Sequence, residues 1–239
     1  MILALTRSAK SASLNGMTTR AYAILAVFDG VVCFFFIVYA FFVPHSHPRT
    51  VGSDLLQGVL AGVGLGFFTV YVLGKVKATK VNGWVTIFGS GVPGNGIFLR
   101  AACAQVFPGP VNVPEEAMYW TTSVDGTGHA LLGERDYTMH FPAGKLPPND
   151  AFWSLTMGNA KNRFVANRIN RYSVSDRSGL VPNADGSVDI YIRKTSPADH
   201  ESNWLPAPPG RFILWLRVYI PGPAILNGEY AVPPVVEVK

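Results

Sequence analysis

Asp185-Gly186-Ser187-Val188-Asp189-Ile190-Tyr191-Ile192 runs through a polar loop into Asn203-Trp204-Leu205-Pro206. The chain then continues as Phe212-Ile213-Leu214-Trp215-Leu216-Arg217-Val218-Tyr219-Ile220-Pro221. Val188, Ile190 and Ile192 share one parity, and Asp189, Tyr191 and Arg193 share the other. Phe212, Leu214, Leu216, Val218 and Ile220 form one apolar face of the longest run. A period of two marks a half-buried strand, because successive side chains leave opposite faces of the pleat. The stretch therefore reads as two strands joined by a Pro-rich, Trp-bearing turn.

The same pattern extends towards the N-terminus. Tyr137, Met139 and Phe141 alternate with Thr138 and His140. Residues 117–123 read as a strand closed by Asp125-Gly126, and Pro147-Pro148-Asn149-Asp150 turns into a strand over 152–157. Short alternating strands separated by turn residues argue an all-β sandwich or barrel. Residues 85–88 predict another strand, and 97–107 predict one short Ala-bearing helix ended by Phe107-Pro108-Gly109-Pro110. Between them, Gly89, Gly91 and Gly94 satisfy G-x-G-x-x-G, with Glu115 about 20 residues on. No second strand of a βαβ unit follows and Pro93 interrupts the loop, so this reads as a Gly-rich entry loop rather than a nucleotide site.

Upstream the character changes. Residues 21–43 are apolar except for Asp29, and 55–74 form a second apolar run. At 1.5 Å per residue the first run is roughly 34 Å long, enough to cross a bilayer. Pro44-His45-Ser46-His47-Pro48 separates the two. Residues 1–80 are thus expected to form a two-helix transmembrane hairpin, and 81–239 the β domain. Gly58, Gly62 and Gly66 recur every four residues along the second span, a spacing that lets helix backbones approach closely. They serve either packing within the hairpin or a homo-oligomer seam. An acid inside a span costs about 2.5–3.5 kcal/mol on insertion scales. Asp29 is therefore expected to be held by a neighbour, Thr69 or Tyr71 on the reflected span.

The formal net charge is +5, and the whole surplus lies in residues 1–80; residues 81–239 carry 13 Lys+Arg against 13 Asp+Glu. Nucleic-acid binders carry their positive charge on the folded domain, so nucleic acid is not expected as a partner. Here the cations flank apolar runs: Arg7, Lys10 and Arg20 before the first, Lys75, Lys77 and Lys80 after the second. By the positive-inside rule the chain is an integral inner or cell membrane protein with its C-terminal domain in the cytoplasm. The alternative is the periplasmic or extracytoplasmic side. The two cysteines, Cys33 and Cys103, make neither a disulfide framework nor a zinc site, and no metal or cofactor is expected.

A set of motifs now follows in order: Trp84, Arg100-Ala101, Glu116-Ala117-Met118-Tyr119, Asp125-Gly126, Leu132-Gly133, Asp136-Tyr137, Leu146-Pro147, and Phe152-Trp153-Ser154-Leu155-Thr156. Asn167, Arg171-Tyr172-Ser173, Asp185-Gly186-Ser187, Asn203-Trp204-Leu205-Pro206 and Leu216-Arg217-Val218-Tyr219 complete it. Residues 82–239 resemble the family called domain of unknown function 1214. The resemblance implies a jelly-roll-like β-sandwich. It also implies an N-terminal membrane segment, usually single in the small members; two are expected here. The family carries no established activity, so the resemblance implies a fold and no reaction.

Asn203, Trp204, Arg217, Tyr219 and Asp189 are the ligand-pocket candidates, at one end of the sandwich. A Trp to stack on, an Arg and an Asn suit a carbohydrate or carboxylate. The structural reading is that Trp204 plugs the sandwich end, Asn203 satisfies turn amides, and Arg217 pairs with an internal acid such as Asp189. His129 and His140 would need a partner within hydrogen-bond reach to act as general bases, and no G-x-S-x-G or H-E-x-x-H signature is present. Lys161, Arg163, Arg168, Arg171 and Arg177 form a basic run with only Asp176 against it. These observations favour a membrane protein presenting a β-sandwich that binds a glycan, a protein partner or a lipid headgroup. A carbohydrate-active hydrolase or lyase, and a structural subunit of a membrane assembly, are the alternatives.

Overall fold

The structure, a computed structural model, describes residues 50–107 and 109–238. The chain divides into two units, one ending at Val76 and the other starting at Lys77. Helix α1 spans Val51–Lys77 and, but for its last residue, belongs to the first unit. Its start is built by a reciprocal cap: Ser53 N–H donates to Thr50 Oγ1 and Thr50 N–H donates to Ser53 Oγ, both at 3.2 Å. Asp54 sits in the first turn, where the helix dipole favours an acid. Leu55, Leu56, Val59, Leu60, Val63 and Phe67 are each more than half exposed. A helix packed on a soluble core would bury such a stripe.

Among the described residues α1 is one helix, not two, long and apolar enough to cross a membrane. Of the expected two-helix hairpin, one candidate span is thus supported. The other expected span, 21–43, lies outside the described residues, and with it Asp29 and its proposed pairing to Thr69 or Tyr71.

The second unit is mostly β. In chain order it runs β1 (Thr79–Val81), β2 (Trp84–Thr86), α2 (Ile97–Val106), β3 (Ala117–Thr122), β4 (Tyr137–Phe141), β5 (Asn149–Asn159) and β6 (Ser173–Ser175). There follow β7 (Val188–Arg193), β8 (Trp204–Pro206), β9 (Phe212–Pro221), α3 (Pro223–Leu226) and β10 (Val235–Glu237). A six-stranded sheet has the order β1-β2-β3-β9-β5-β6, and a four-stranded sheet the order β10-β4-β7-β8. Both sheets are open. Their inner faces meet in one core: Met118, Trp153, Leu155, Leu214, Leu216 and Val218 from the larger sheet, and Tyr137, Met139, Phe141, Ile190, Ile192 and Leu205 from the smaller. Each of these is at most 1% exposed. Burial of such side chains is the dominant favourable term in folding, and it is what holds the two layers of this β-sandwich together.

The stretch read first as two strands crosses between the sheets. β7 lies in the smaller sheet and β9 in the larger, and the intervening Trp204–Pro206 forms a strand of its own, parallel to β7 with Tyr191 opposite Trp204. The alternation on β9 holds from Phe212 to Val218 and fails at Ile220. Ile220 takes φ 48° and is 44% exposed, and Pro221 is buried instead. A left-handed residue at the strand end reverses the parity, so the expected fifth member of the apolar face points out.

Candidate functional site

β9 is the centre of the larger sheet, paired with β3 on one side and β5 on the other. Arg217 faces both Tyr119 and Ser154 across the ladders, Trp215 faces Thr121 and Thr156, and Tyr219 faces Ala117 and Phe152. Because Leu214, Leu216 and Val218 point into the core, Trp215, Arg217 and Tyr219 must emerge on the outer face. Part of that face is roofed. Ile87, Cys103 and Phe107 form a second apolar cluster with Leu99, Val106, Val111 and Tyr119. The Phe107 and Tyr119 ring centroids are 5.7 Å apart. Burial in this cluster pushes the Cys103 thiol up from its ordinary pKa.

Where the segment after α2 crosses the sheet it leaves a cavity of about 310 Å³, lined by Phe107, Asn112, Tyr119, Trp215, Arg217 and Tyr219 among others. The floor is aromatic and cationic. The Arg217 guanidinium lies 5.9 Å from the centroid of the Trp215 ring, and its Nη1 donates to Thr156 Oγ1 at 3.4 Å. No ion pair joins Arg217 to a carboxylate among the described residues. Asn112 N–H donates to Tyr119 Oη at 3.3 Å. Burial raises the Tyr119 phenol above its ordinary pKa, with the nearby Arg217 charge pulling the other way, so the group stays protonated at neutral pH. Beside the cavity Tyr219 stacks on Phe152 at 4.5 Å, and Arg177 lies 4.5 Å over the other ring of that stack.

The expected pocket residues are not brought together. Arg217 and Tyr219 line this cavity, whereas Asn203, Trp204 and Asp189 belong to the β7–β8 edge of the other sheet. Asn203 is 1% exposed; its Oδ1 accepts from Val181 N–H at 2.8 Å, and its Nδ2 donates to Val181 O at 2.8 Å and Asp189 O at 2.9 Å. Trp204 is buried, and its Nε1 donates to Arg193 O at 2.8 Å. Arg217 does not meet Asp189. That carboxylate instead contacts His140 Nδ1 at 2.7 Å through Oδ1, and accepts from Asn183 Nδ2 at 2.8 Å through Oδ2.

Sequence reading left His140 without a partner. Asp189 supplies one because β4 and β7 pair with His140 opposite Asp189. Trp215, Tyr119 and Asn112 were also missed as lining residues. Their signal was the outward parity of Trp215 and Tyr119, which the apolar-face argument did not follow. His129 Nδ1 lies 2.7 Å from Thr127 Oγ1. Asp125 closes that turn by accepting from the Thr127 and His129 N–H groups at 2.8 and 3.0 Å.

The Gly-rich segment joins β2 to α2, but β2 pairs antiparallel with β3. A Cβ on Gly91 would stand 1.8 Å from Asn112 O, so this glycine is required by the approach of the segment that roofs the cavity. Among the described residues no three His, Cys, Asp or Glu side chains cluster so as to hold a metal ion. On α1, Gly58 and Gly62 are exposed, and a Cβ on either would meet nothing within 4 Å.

An open two-sheet sandwich with a roofed aromatic and cationic cavity on its outer face defines the class. Residues 116–223, a little under half of the chain, match the model of the family described as protein of unknown function (DUF1214). The match is narrower than the resemblance over 82–239, and it includes β9 with Arg217 and Tyr219. The fold is similar to the crystal structure of the VPA0106 protein from Vibrio parahaemolyticus, with 24% identity, a TM-score of 0.58, and 82% of this chain aligned on 48% of that one. An uncharacterized protein from Burkholderia cenocepacia aligns at 19% identity and a TM-score of 0.43, over 82% of this chain and 46% of that one. The chain thus spans about half the length of either solved relative. Nothing among the curated proteins matches it.

Proposed function

We propose that this chain is a membrane-anchored member of the DUF1214 family whose jelly-roll-like sandwich is a binding module. The outer-face cavity takes a small molecule that joins one carboxylate to a flat or sugar-like body. The observation that carries the reading is Arg217: a guanidinium on the floor of an aromatic cavity, beside the Trp215 ring and donating at 3.4 Å to the Thr156 hydroxyl, without an ion pair among the described residues. A guanidinium presents a planar fork that fits a carboxylate bidentately. Trp215, Tyr119 and Tyr219 supply faces for an apolar or sugar ring. One cation matches one negative charge. The basic residues Lys75 and Lys77 in the last turn of α1 and Lys80 just beyond it, against Asp54 in its first turn, support placing the sandwich on the cytoplasmic side.

The test uses the full chain in lipid nanodiscs and isothermal titration with paired probes: benzoate against benzyl alcohol, and glucuronate against glucose. The acids are expected to bind and their neutral partners not to. Arg217→Gln should weaken the acids by about 10- to 100-fold, the worth of hydrogen bonds to a charged group. Equal binding of acid and neutral probes, or an unchanged affinity in Arg217→Gln, defeats the reading.

A second reading, a hydrolase or lyase acting on a carbohydrate-like substrate, is favoured by the His140–Asp189 pair. The carboxylate fixes the imidazole through Nδ1 and leaves Nε2 towards solvent, since the His140 side chain is 53% exposed. That pair lies on the four-stranded sheet, so loss of any hydrolytic activity in His140→Gln with unaltered probe binding would separate it from the cavity.

A further inference from the structure

We propose that the connection between β5 and β6 is a docking surface for an anionic lipid bilayer. The structure sorts the basic run over this connection and the turn after β6 into two groups. Arg171 Nη1 donates to the carbonyls of Glu201 and, at 3.0 Å, Trp204; Arg177 donates to Ala151 O at 2.8 Å and covers the Phe152 ring. Both are committed to the fold. Lys161, Arg163 and Arg168 are exposed, and none makes an ion pair among the described residues. The single acid of the run is turned elsewhere: Asp176 Oδ2 accepts from Trp153 N–H at 3.4 Å and Asn149 Nδ2 at 3.5 Å.

Among the three outward cations stands Phe164, 62% exposed and supported from behind by the Tyr172 ring at 5.5 Å. A large aromatic beside unpaired cations is poorly served by water, but matches a bilayer boundary: anionic headgroups for the cations and the acyl edge for the ring. The platform is built before anything binds. Asn159 Oδ1 accepts from the N–H groups of Lys161 and Arg163 at 2.9 and 3.1 Å. Asn167 closes the next turn on the Arg171 backbone, accepting its N–H at 3.0 Å and donating to its carbonyl at 2.7 Å.

The occupant follows from the chain itself. A sandwich tethered through an apolar helix that can cross a bilayer meets lipid at high effective concentration, so a modest surface affinity suffices. This inference rests on α1 as a span and is independent of the Arg217 cavity. The experiment is hydrogen exchange on residues 160–172 of the full chain in nanodiscs of phosphatidylcholine alone, and of phosphatidylcholine with phosphatidylglycerol. Slower exchange in the anionic discs, relieved by high salt, is expected. Each cation near an anionic surface is worth about a fivefold gain in docking, so Lys161→Glu with Arg163→Glu and Arg168→Glu should cut it by more than a hundredfold. Phe164→Ser should give part of that loss. Exchange on β5 and β9 serves as the folding control. Equal exchange in the two discs overturns the proposal. So does protection in neutral discs by millimolar inorganic phosphate, which would mark a small-anion site instead.

Discussion

Trp215 lies directly over Gly158. A Cβ on residue 158 would stand 2.2 Å from the Cη2 atom of the indole, which is only 5% exposed. The absence of a side chain on β5 is what lets the ring settle on the neighbouring strand and form the floor of the cavity beside Arg217.

Gly158→Ala is therefore expected to lift the indole. The obstacle is a rigid ring, not the tip of a flexible chain, so the overpacking should cost about 1–3 kcal/mol. Urea unfolding of the full chain would measure it. Binding of benzoate should fall in the same variant, because the stacking face moves with the ring.

Asn203 fastens the strand β7 to the residues before it through one accepted and two donated hydrogen bonds. Asn203→Ala leaves buried groups unsatisfied and should cost roughly 2–3 kcal/mol. Asn203→Asp should be worse. It keeps the contact to Val181 N–H but faces the carbonyls of Val181 and Asp189 with a group that has no proton to give. An order of stability with the aspartate variant above the alanine variant would contradict this account.

Asp125 gives an acid-side prediction. Burial alone would raise its carboxyl, but hydrogen bonds from the Thr127 hydroxyl and the His129 and Thr127 N–H groups outweigh it and hold the pKa below the ordinary carboxylate value. A depressed folded pKa means the native state holds its proton less tightly than the unfolded chain. The contribution is complete above the ordinary value near 3.8 and is lost as pH falls through the folded value. Unfolding free energy measured from pH 6 down to pH 2 should show a shallower acid decline in Asp125→Asn than in the parent.

Membrane side is checked by fusion after the C-terminus. A reporter fluorescent only in the cytoplasm should light, and one active only outside it should stay silent, if Lys75, Lys77 and Lys80 govern orientation. The reverse pattern would return the sandwich to the exported side and change the pool of acids that reach Arg217.

The apolar faces of β4, β7 and most of β9 were legible, because alternation along Tyr137, Met139 and Phe141, or Leu214, Leu216 and Val218, needs only local periodicity. Ile220 was not, since its reversal depends on a left-handed backbone that no pattern of hydrophobicity records. β8 escaped because a three-residue strand is defined by its neighbour: Trp204 is a strand residue only through its pairing beside Tyr191. The cavity was half legible. Arg217 and Tyr219 were chosen on chemistry, but their companions were taken from nearby sequence. The true neighbours, Tyr119 and Asn112, are set by the ladder between β3 and β9 and by the segment folded across it. The His140–Asp189 pair failed for the same reason, being a matter of register across 49 positions.

The order of strands also imposes a timetable. β9 stands between β3 and β5, so the edge that each turns towards the centre of the sheet stays open until residues 212–221 have been synthesised. The apolar helix α1 emerges long before. At about 5–20 residues per second, roughly 140 residues separate its end from the completion of β9, a delay of about 7–30 s. The nascent chain thus carries α1 ahead of a sandwich in which β3 and β5 still await β9 between them. Its dependence on chaperones should be concentrated in that interval rather than spread over its lifetime.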